Sequence, residues 1–584
     1  VRTAYRSVPT TNLVAVLRAP GPPAAGAVVI SVSQDGFSLL PDLVHGSFQA
    51  LQMAIQLRLL EGLAPHRDAL QRDVVFVATS GDYTAQNSLN RLLSTVGPYD
   101  QRGSVRERLV AERAEHEGRL GTIGAIAGLL ADPAFGAEAA ASAAGLRRLA
   151  PADQAFFEEQ FRYVLRRRVF DASEPLLQAR IRFERHPEDL AGEPYQAFRA
   201  AKRHYDRLNS QAALPLPRYL ERRDRVAGDD VRAAIGERLA ELRGFHEVQL
   251  RRVAQEEALH KVFSGYGELL VIAPSLMPPR RMNGRETLGF TGGSGVVHTE
   301  AADTFRRMLQ DAAFALGLQE AVAVDFRGLN HGSAMNSVLG GLPIHALPWS
   351  QLSYPAFSMI APQGDYSEFF RPLPHPATTN LRSIAGSLQV LGEATLSAAR
   401  GYGAFGRLPR YSPYSLRGMV YASGIGNSVV PNYPVAGALI CSKEDEGRYG
   451  RITAAYQRKP LFFTDPYGRY SQPLLSAGTF FGWSDPTPLS AVWFDAQGRI
   501  AYCKDEGLNA QNMYQSRAMA YDGAPVHLVL YRGDPVAVLN RVNPQSMRAF
   551  TDVEFLRARG LTPFPSALKF TVGDGFLNFL PPEE

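Results

Sequence analysis

Twelve histidines and 57 aspartates and glutamates are the side chains from which this 584-residue chain could build a metal centre or an acid–base pair. A metal site needs several His, Asp, Glu or Cys groups converging on one point. No two histidines stand four residues apart, so no helix offers a ready pair of ligands. His116, His186, His204, His246 and His260 fall in a long charged stretch, where exposure to solvent is the expectation. His298, His331, His345 and His375 fall between strand-like runs, and loops at strand ends are where α/β sheets carry function. The motifs HExxH, GxSxG, GxxxxGK(S/T) and CxxCH are absent, and with them the common signatures of zinc proteolysis, serine hydrolysis, nucleotide binding and haem attachment. Thr291-Gly-Gly-Ser-Gly295 precedes a helical pattern, and an isolated glycine run of this kind reads as a plain loop. Cys441 and Cys503 are the only cysteines, which excludes a Cys-rich zinc site and a CxxC redox pair. They form either one disulfide in an oxidising compartment or two buried thiols in a reducing one.

The hydrophobic pattern outlines the elements that must position these groups. Leu13–Leu17 and Ala27–Val32 are short strand-like runs, and Leu43, Phe48, Leu51, Ile55 and Leu59 recur at helical spacing from Asp42 to Leu63. Asp73–Thr79 is a continuous apolar run, as in a strand buried on both faces. Strand, helix and strand in this order predict a parallel crossover unit. From about Ser104 to Phe263 the composition shifts to Arg, Glu, Ala and Leu. There Val231, Ile235, Leu239, Leu242 and Val248 form the stripe of one long helix with Asp229 or Asp230 as its cap. The charges of this insertion are expected to form a solvated face with i,i+4 pairs. Strand signal resumes at Glu268–Pro274, followed by a helix ending at Gly317 and by strands at Ala321–Phe326 and Pro355–Ala361. A helix is expected over Thr378 to Ala399, and another in the Ala-rich Ala137–Ala144. Beyond residue 409 short β-runs recur at Pro434–Ile440, Leu461–Phe463, Ala491–Cys503, Val526–Tyr531 and Leu568–Val572, the spacing of an all-β sandwich or barrel.

Composition bounds the rest. With 45% hydrophobic, 10% aromatic and 20% charged residues the chain is an ordinary globular one, which excludes global disorder, collagen-like repeats and a disulfide scaffold. The net charge of +5 comes from 62 Lys and Arg against 57 Asp and Glu, but the basic residues are interleaved with acids along the whole chain. Nucleic acid selects a clustered basic patch, so no nucleic-acid partner is expected. Arg dominance with abundant Ala and Pro points to a GC-rich bacterial genome. No stretch approaches the ~18 apolar residues of a membrane helix. The sequence opens at Val1, and any membrane attachment is expected to come from a segment absent from this chain.

The segment from Val28 to Leu92, with Asp35-Gly-Phe-Ser38, His45-Gly-Ser47, Asp73–Asp82 and Asn87-Ser88, resembles the first half of the M28 zinc aminopeptidase family. Ser353-Tyr-Pro-Ala-Phe-Ser-Met-Ile360 is similar to that family's Gly-Ile-Pro-Ala strand, and His375-Pro-Ala-Thr-Thr379 to its His-Thr-Pro-x-Asp-Thr motif. A co-catalytic zinc pair needs about five ligands and a carboxylate base. Here Ser31 or Ser33 stands for the family's first His, His45-Gly46-Ser47 for its bridging Asp, and Gly81-Asp82-Tyr83 for its paired glutamates. Val271-Ile-Ala-Pro-Ser275 lacks the later acidic ligand, and only His375 matches. The pattern therefore resembles the degenerate, nicastrin-like members of the family, which have lost the metal centre. Pro434-Val-Ala-Gly-Ala-Leu-Ile440 with Phe463-Thr-Asp-Pro-Tyr-Gly-Arg-Tyr470 looks like the carboxypeptidase regulatory-like sandwich. Asp465-Pro-Tyr-Gly468 and Asp495-Ala-Gln-Gly498 read as hairpin turns.

The resulting expectation is an M28-like mixed α/β sheet flanked by helices in two halves, residues 1–103 and 264–408. A helical insertion over 104–263 separates them, and an all-β sandwich region of one or two modules follows over 409–584. The resemblance implies a non-catalytic binding or scaffold subunit of an extracytoplasmic or envelope assembly, with a protein partner, no cofactor and no metal. Asp35, His45, Asp82 and His375 would line a vestigial pocket. Two other readings stay open at this point: an aminopeptidase-type hydrolase with zinc in a rearranged site, and a purely structural envelope or filament component. In the last, Tyr411, Tyr414, Tyr421, Phe480, Phe481 and Trp483 would supply contacts.

Overall fold

Apolar β-branched runs leave a strand two faces to bury, and such strands fold between helices on both sides. The computed structural model describes residues 11–21, 26–34, 47–80, 87–96, 102–135, 139–184, 190–221, 228–276, 289–292, 299–322, 346, 349, 354–360, 384–405, 415–423, 433–443, 458–473, 479–480, 483–484, 489–494, 500–504, 528–531, 569–573 and 576–580. In chain order, β1 (Leu13–Leu17) and β2 (Gly26–Ser33) precede α1 (Ser47–Leu63) and β3 (Asp73–Thr79). The helices α2 (Asn87–Val96), α3 (Arg102–Ala131), α4 (Ala139–Arg148), α5 (Pro151–Glu184), α6 (Glu193–Ala212), α7 (Leu216–Glu221) and α8 (Gly228–Phe263) follow. Next come β4 (Glu268–Ser275), β5 (Gly289–Gly292), α9 (Thr299–Ala315), β6 (Ala356–Ile360) and α10 (Ala385–Ala399). The C-terminal strands are β7 (Ser415–Ser423), β8 (Tyr433–Pro434), β9 (Leu439–Lys443), β10 (Arg458–Phe463), β11 (Arg469–Pro473), β12 (Thr479–Phe480), β13 (Trp483–Ser484), β14 (Leu489–Phe494), β15 (Ile500–Lys504), β16 (Leu528–Tyr531), β17 (Lys569–Gly573) and β18 (Phe576–Leu580).

The first six strands make one mixed sheet in the order β1-β3-β2-β4-β6-β5. β3, β2, β4 and β6 are parallel, and antiparallel β1 and β5 close the two edges. Side chains alternate between faces with period two. Val28, Ile30, Phe76, Leu270, Ile272 and Phe357 pack under α1, α9 and α10, whereas Val29, Val75, Val77, Leu269 and Val271 pack under α2 and the end of α8. Each such side chain stabilises the fold by about 1.5–3 kcal/mol. At the amino ends of β3 and β4, buried Arg72 ties the sheet to the last turn of α10. It donates to the carbonyls of Ala398 (2.8 Å), Tyr402 (3.0 Å) and Gly403 (2.6 Å) and to the Glu268 carboxylate (3.2 Å).

Several sequence expectations change. Thr291 and Gly292 were expected in a loop and lie in β5, an edge strand that exists through its pairing with β6 rather than through any β-propensity of its own. Pro434–Ile440 is two strands, because Gly437 takes a left-handed φ of 71° and turns the chain between β8 and β9. Gln319–Ala321 is a short 3-10 turn, Val322 is extended, and residues 323–326 of the expected strand lie outside the described residues. Asp465-Pro-Tyr-Gly468 does turn, with Gly468 N–H donating to the Asp465 carbonyl, but it makes no hairpin. β10 belongs to the sheet β10-β9-β14-β15 and β11 to the sheet β11-β7-β16, so this turn carries the chain from one sheet to the other.

The insertion and the C-terminal strands share one hydrophobic core. Phe157, Phe161 and Val164 of α5 and Ile235, Leu239 and Leu242 of α8 cluster with Val420, Tyr433, Ile440 and Ala491. The inward face of α8 runs Val231, Ile235, Arg238, Leu242, His246, Val253, Glu256 and Phe263, while Val248, expected on the stripe, is 48% exposed. Cys441 lies in β9 and Cys503 in β15, with β14 between them. Two strand spacings make roughly 10 Å, more than the Cα separation that one disulfide spans. Among the described residues no helix is long and apolar enough to cross a membrane.

Candidate functional site

After β2 the chain adds β3 on one side and then β4 on the other, so the strand order reverses between β2 and β4. Open α/β sheets bind ligands in the crevice beyond the carboxyl ends of strands at such a reversal. Asp35, His45, Asp82 and His375 lie outside the described residues, as do His298, His331 and His345. The strand exits that lead toward Asp35 and Asp82 are described as far as Gln34 and Ser80. Gln34 N–H donates to the Thr79 carbonyl at 2.8 Å, joining the exits of β2 and β3. Ser80 N–H donates to the Asn12 side chain at 3.2 Å.

Two glutamines of α1 reach over these strand ends, which a purely apolar helix face could not do. Gln56 Nε2 donates to the carbonyls of Ile30 (2.9 Å) and Val77 (3.0 Å), and Gln52 Nε2 donates to that of Leu276 (3.0 Å). Gln52 Oε1, Ser80 Oγ and Ser358 Oγ are buried without a hydrogen-bond partner among the described residues. Buried polar atoms are normally paired, so this end of the sheet has hydrogen-bonding capacity left over. Ser31 is fully buried, and Trp349 Nε1 donates to its Oγ at 3.3 Å. At or near the strand ends the described residues include Ser31, Ser33 and Ser275. They do not fit zinc, which takes His, Cys, Asp or Glu. Among the described residues no group of three or more His, Cys, Asp or Glu is placed to hold a metal ion.

A second polar cluster lies where α3 and α8 meet the β10–β11 turn. His116 and His246 were expected in solvent, but His246 is 2% exposed. Its Nδ1 is 3.0 Å from His116 Nδ1 and its Nε2 is 2.8 Å from the Tyr467 hydroxyl. Burial, with His116, Arg119 and Arg469 adding to it, pushes the His246 imidazole down to about 4. Burial also lowers His116, against the opposing pull of Glu115. Burial raises Tyr467 to about 12. Arg238 donates to Gln160 (3.2 Å), Glu241 (2.7 Å) and the Pro466 carbonyl (2.5 Å), holding the same turn from α8.

Further along α8, Glu256 accepts from Arg91 (3.1 Å) and Arg252 (2.6 Å), and Arg252 also reaches Glu112 (2.6 Å). Burial opposes ionisation of Glu112, and Arg252 and Arg108 overcome it and hold the carboxyl below its usual range. These charges join helices α2, α3 and α8 rather than forming only the expected solvated i,i+4 face. The signal for both clusters is present in the sequence, since the 4-3 spacing from Val231 passes through Arg238, His246 and Glu256. No family model matches the chain, and neither a curated protein nor a solved structure matches it.

Proposed function

We propose that the chain is a non-catalytic, M28-like subunit that binds a protein partner within an extracytoplasmic or envelope assembly. On this reading the six-stranded sheet is a degenerate peptidase sheet, and the strands from β7 onward are a carboxypeptidase regulatory-like sandwich. The observation that carries it is Ser31. At Ser31, one of the two positions, Ser31 or Ser33, read as standing for the family's first metal-binding His, the hydroxyl is fully buried and takes a hydrogen bond from the Trp349 indole. A buried hydroxyl beneath an indole can neither ligate zinc nor admit the water that such a site activates. The core shared by helices and C-terminal strands also supports the scaffold role, because it packs the two regions directly against each other.

Elemental analysis of protein purified without chelator, beside the His375→Ala variant, tests the negative half. No stoichiometric zinc in either is expected. About two zinc ions per chain, lost in the variant, would restore the peptidase reading. Native gel filtration of gently solubilised envelopes tests the positive half. Migration in a larger particle of fixed composition is expected, and migration as an isolated monomer overturns it.

A further inference from the structure

His246 on α8 stands between His116 on α3 and Tyr467 in the turn that links the two β-sheets. The two facing Nδ1 atoms are 3.0 Å apart, so one must carry a hydrogen and the other a lone pair. With both rings neutral the chain closes in either sense: the Tyr467 hydroxyl donates to His246 Nε2 and His246 Nδ1–H to His116 Nδ1, or His116 Nδ1–H donates to His246 Nδ1 and His246 Nε2–H to the Tyr467 oxygen. One added proton is accommodated on His116, the more exposed ring. His116 Nδ1–H then donates to His246 Nδ1, His246 carries its hydrogen on Nε2, and Tyr467 becomes the acceptor. A second proton has no place, since it sets two N–H groups and two cations face to face. We propose that the His116–His246–Tyr467 chain is a proton-operated latch, which holds the β10–β11 turn on the helices and lets it go when the second imidazole is protonated.

The surroundings bias the latch toward release. From α3 the pair faces Glu112, Glu115 and Arg119, from α8 Arg252, and from the turn Arg469. Tyr467 is faced by Arg119, Arg238, Arg469 and Asp465. Glu112 is already shared by Arg108 and Arg252, so the cations nearest the imidazoles are incompletely compensated. Arg238 holds the Pro466 carbonyl from α8, so release loosens the turn around this anchor and leaves the core folded. The local consequence is a loosened link between the sheet of β10 and the sheet of β11.

Hydrogen exchange of the full chain, followed by mass spectrometry and corrected for intrinsic exchange rates, reads the latch directly. Between about pH 7.5 and about pH 5, protection over residues 464–470 should fall about ten-fold or more while that of β2 is kept. The His246→Gln variant keeps a partner for Tyr467 without a titrating ring, and His116→Asn removes the facing imidazole. In each the fall should shrink to less than about three-fold. Unchanged protection of 464–470 in the wild-type chain overturns the proposal whatever the variants do. So does an equal loss in β2, or a full-sized fall in either variant with native near-ultraviolet circular dichroism.

Discussion

The six-stranded sheet and the joint between helices and C-terminal strands are both well buried, yet they are made of different side chains. Between the sheet and its helices the interleaving side chains are mainly Val, Ile, Leu, Ala and Phe, and buried polar groups such as Arg72, Asp73, Gln52 and Gln56 are tied by hydrogen bonds toward the strand ends. The joint mixes such residues with Arg238, His246, Gln160, Tyr163, Tyr433 and Thr464, most of them hydrogen bonded across elements. An apolar core is indifferent to pH and sensitive to volume. A core with titratable groups is sensitive to protons and to geometry, because an unpaired buried polar atom costs about 1–3 kcal/mol. The chain therefore has one region suited to rigidity and one suited to response.

The sharpest break in the comparison comes from a deletion on the sheet. Phe357 is fully buried and stacks on Phe305 at 5.4 Å, so Phe357→Ala should cost about 3–5 kcal/mol in urea unfolding. That loss should be the same at neutral and mildly acid pH. At the joint, Arg238→Ala removes three hydrogen bonds and the guanidinium lying 3.9 Å from the Tyr163 ring centre, for about 2–3 kcal/mol. Lys at this position should not rescue it, since an ammonium cannot copy the planar fork. If Arg238→Lys is as stable as wild type, the joint is held by packing and the contrast fails.

Next in size is the backbone of the same turn. Gly468 has a φ of 74°, and a Cβ there would stand 2.9 Å from the Val435 nitrogen. Gly468→Ala should cost about 2 kcal/mol by thermal melting, from left-handed strain and the close backbone together. The pH dependence follows. His246 is held near 4 in the fold and lies near 6.5 when unfolded, so the unfolded chain binds the extra proton between these values. Stability is therefore full above about pH 6.5 and falls as pH drops toward 4, by about 1–2 kcal/mol at pH 5. Urea midpoints measured across this range check it, and His246→Gln should flatten the curve.

The sheet was legible in the sequence because its residues are unambiguous. Val28–Val32 and Asp73–Thr79 are apolar runs that only a strand between two helical layers can bury, and both formed. α8 was legible as a helix, but its face was misjudged after Leu242. A reading that follows hydrophobicity moves to Val248, whereas the helix itself continues its spacing to His246, Val253 and Glu256. His246 and Glu256 are bonded by residues 221 and 165 positions away, Tyr467 and Arg91, so the helical spacing that carries them inward does not report what they bond. The split of Pro434–Ile440 hinged on the φ of Gly437, one torsion that a β-rich sequence conceals. At the proposed site, the hydroxyl residues Ser31 and Ser33 were readable, but the Trp349 bond that closes Ser31 was not, since 318 residues separate the pair.

The smallest expected effect marks where charge stops mattering. Lys202 and Asp206 sit one turn apart on α6, with a 2.6 Å ion pair and both side chains more than half exposed. Water screens such a pair almost completely, and holding two mobile side chains together offsets much of the attraction. Asp206→Asn should therefore change stability by less than about 0.5 kcal/mol, and less still in high salt. The same test applied to Glu256→Gln, whose carboxylate is largely buried between Arg91 and Arg252, should give a loss several times larger and nearly independent of salt. If the two substitutions prove equal in guanidine-free thermal melts, burial is not what separates the responsive joint from the solvated helix face, and the contrast between the regions reduces to their apolar content alone.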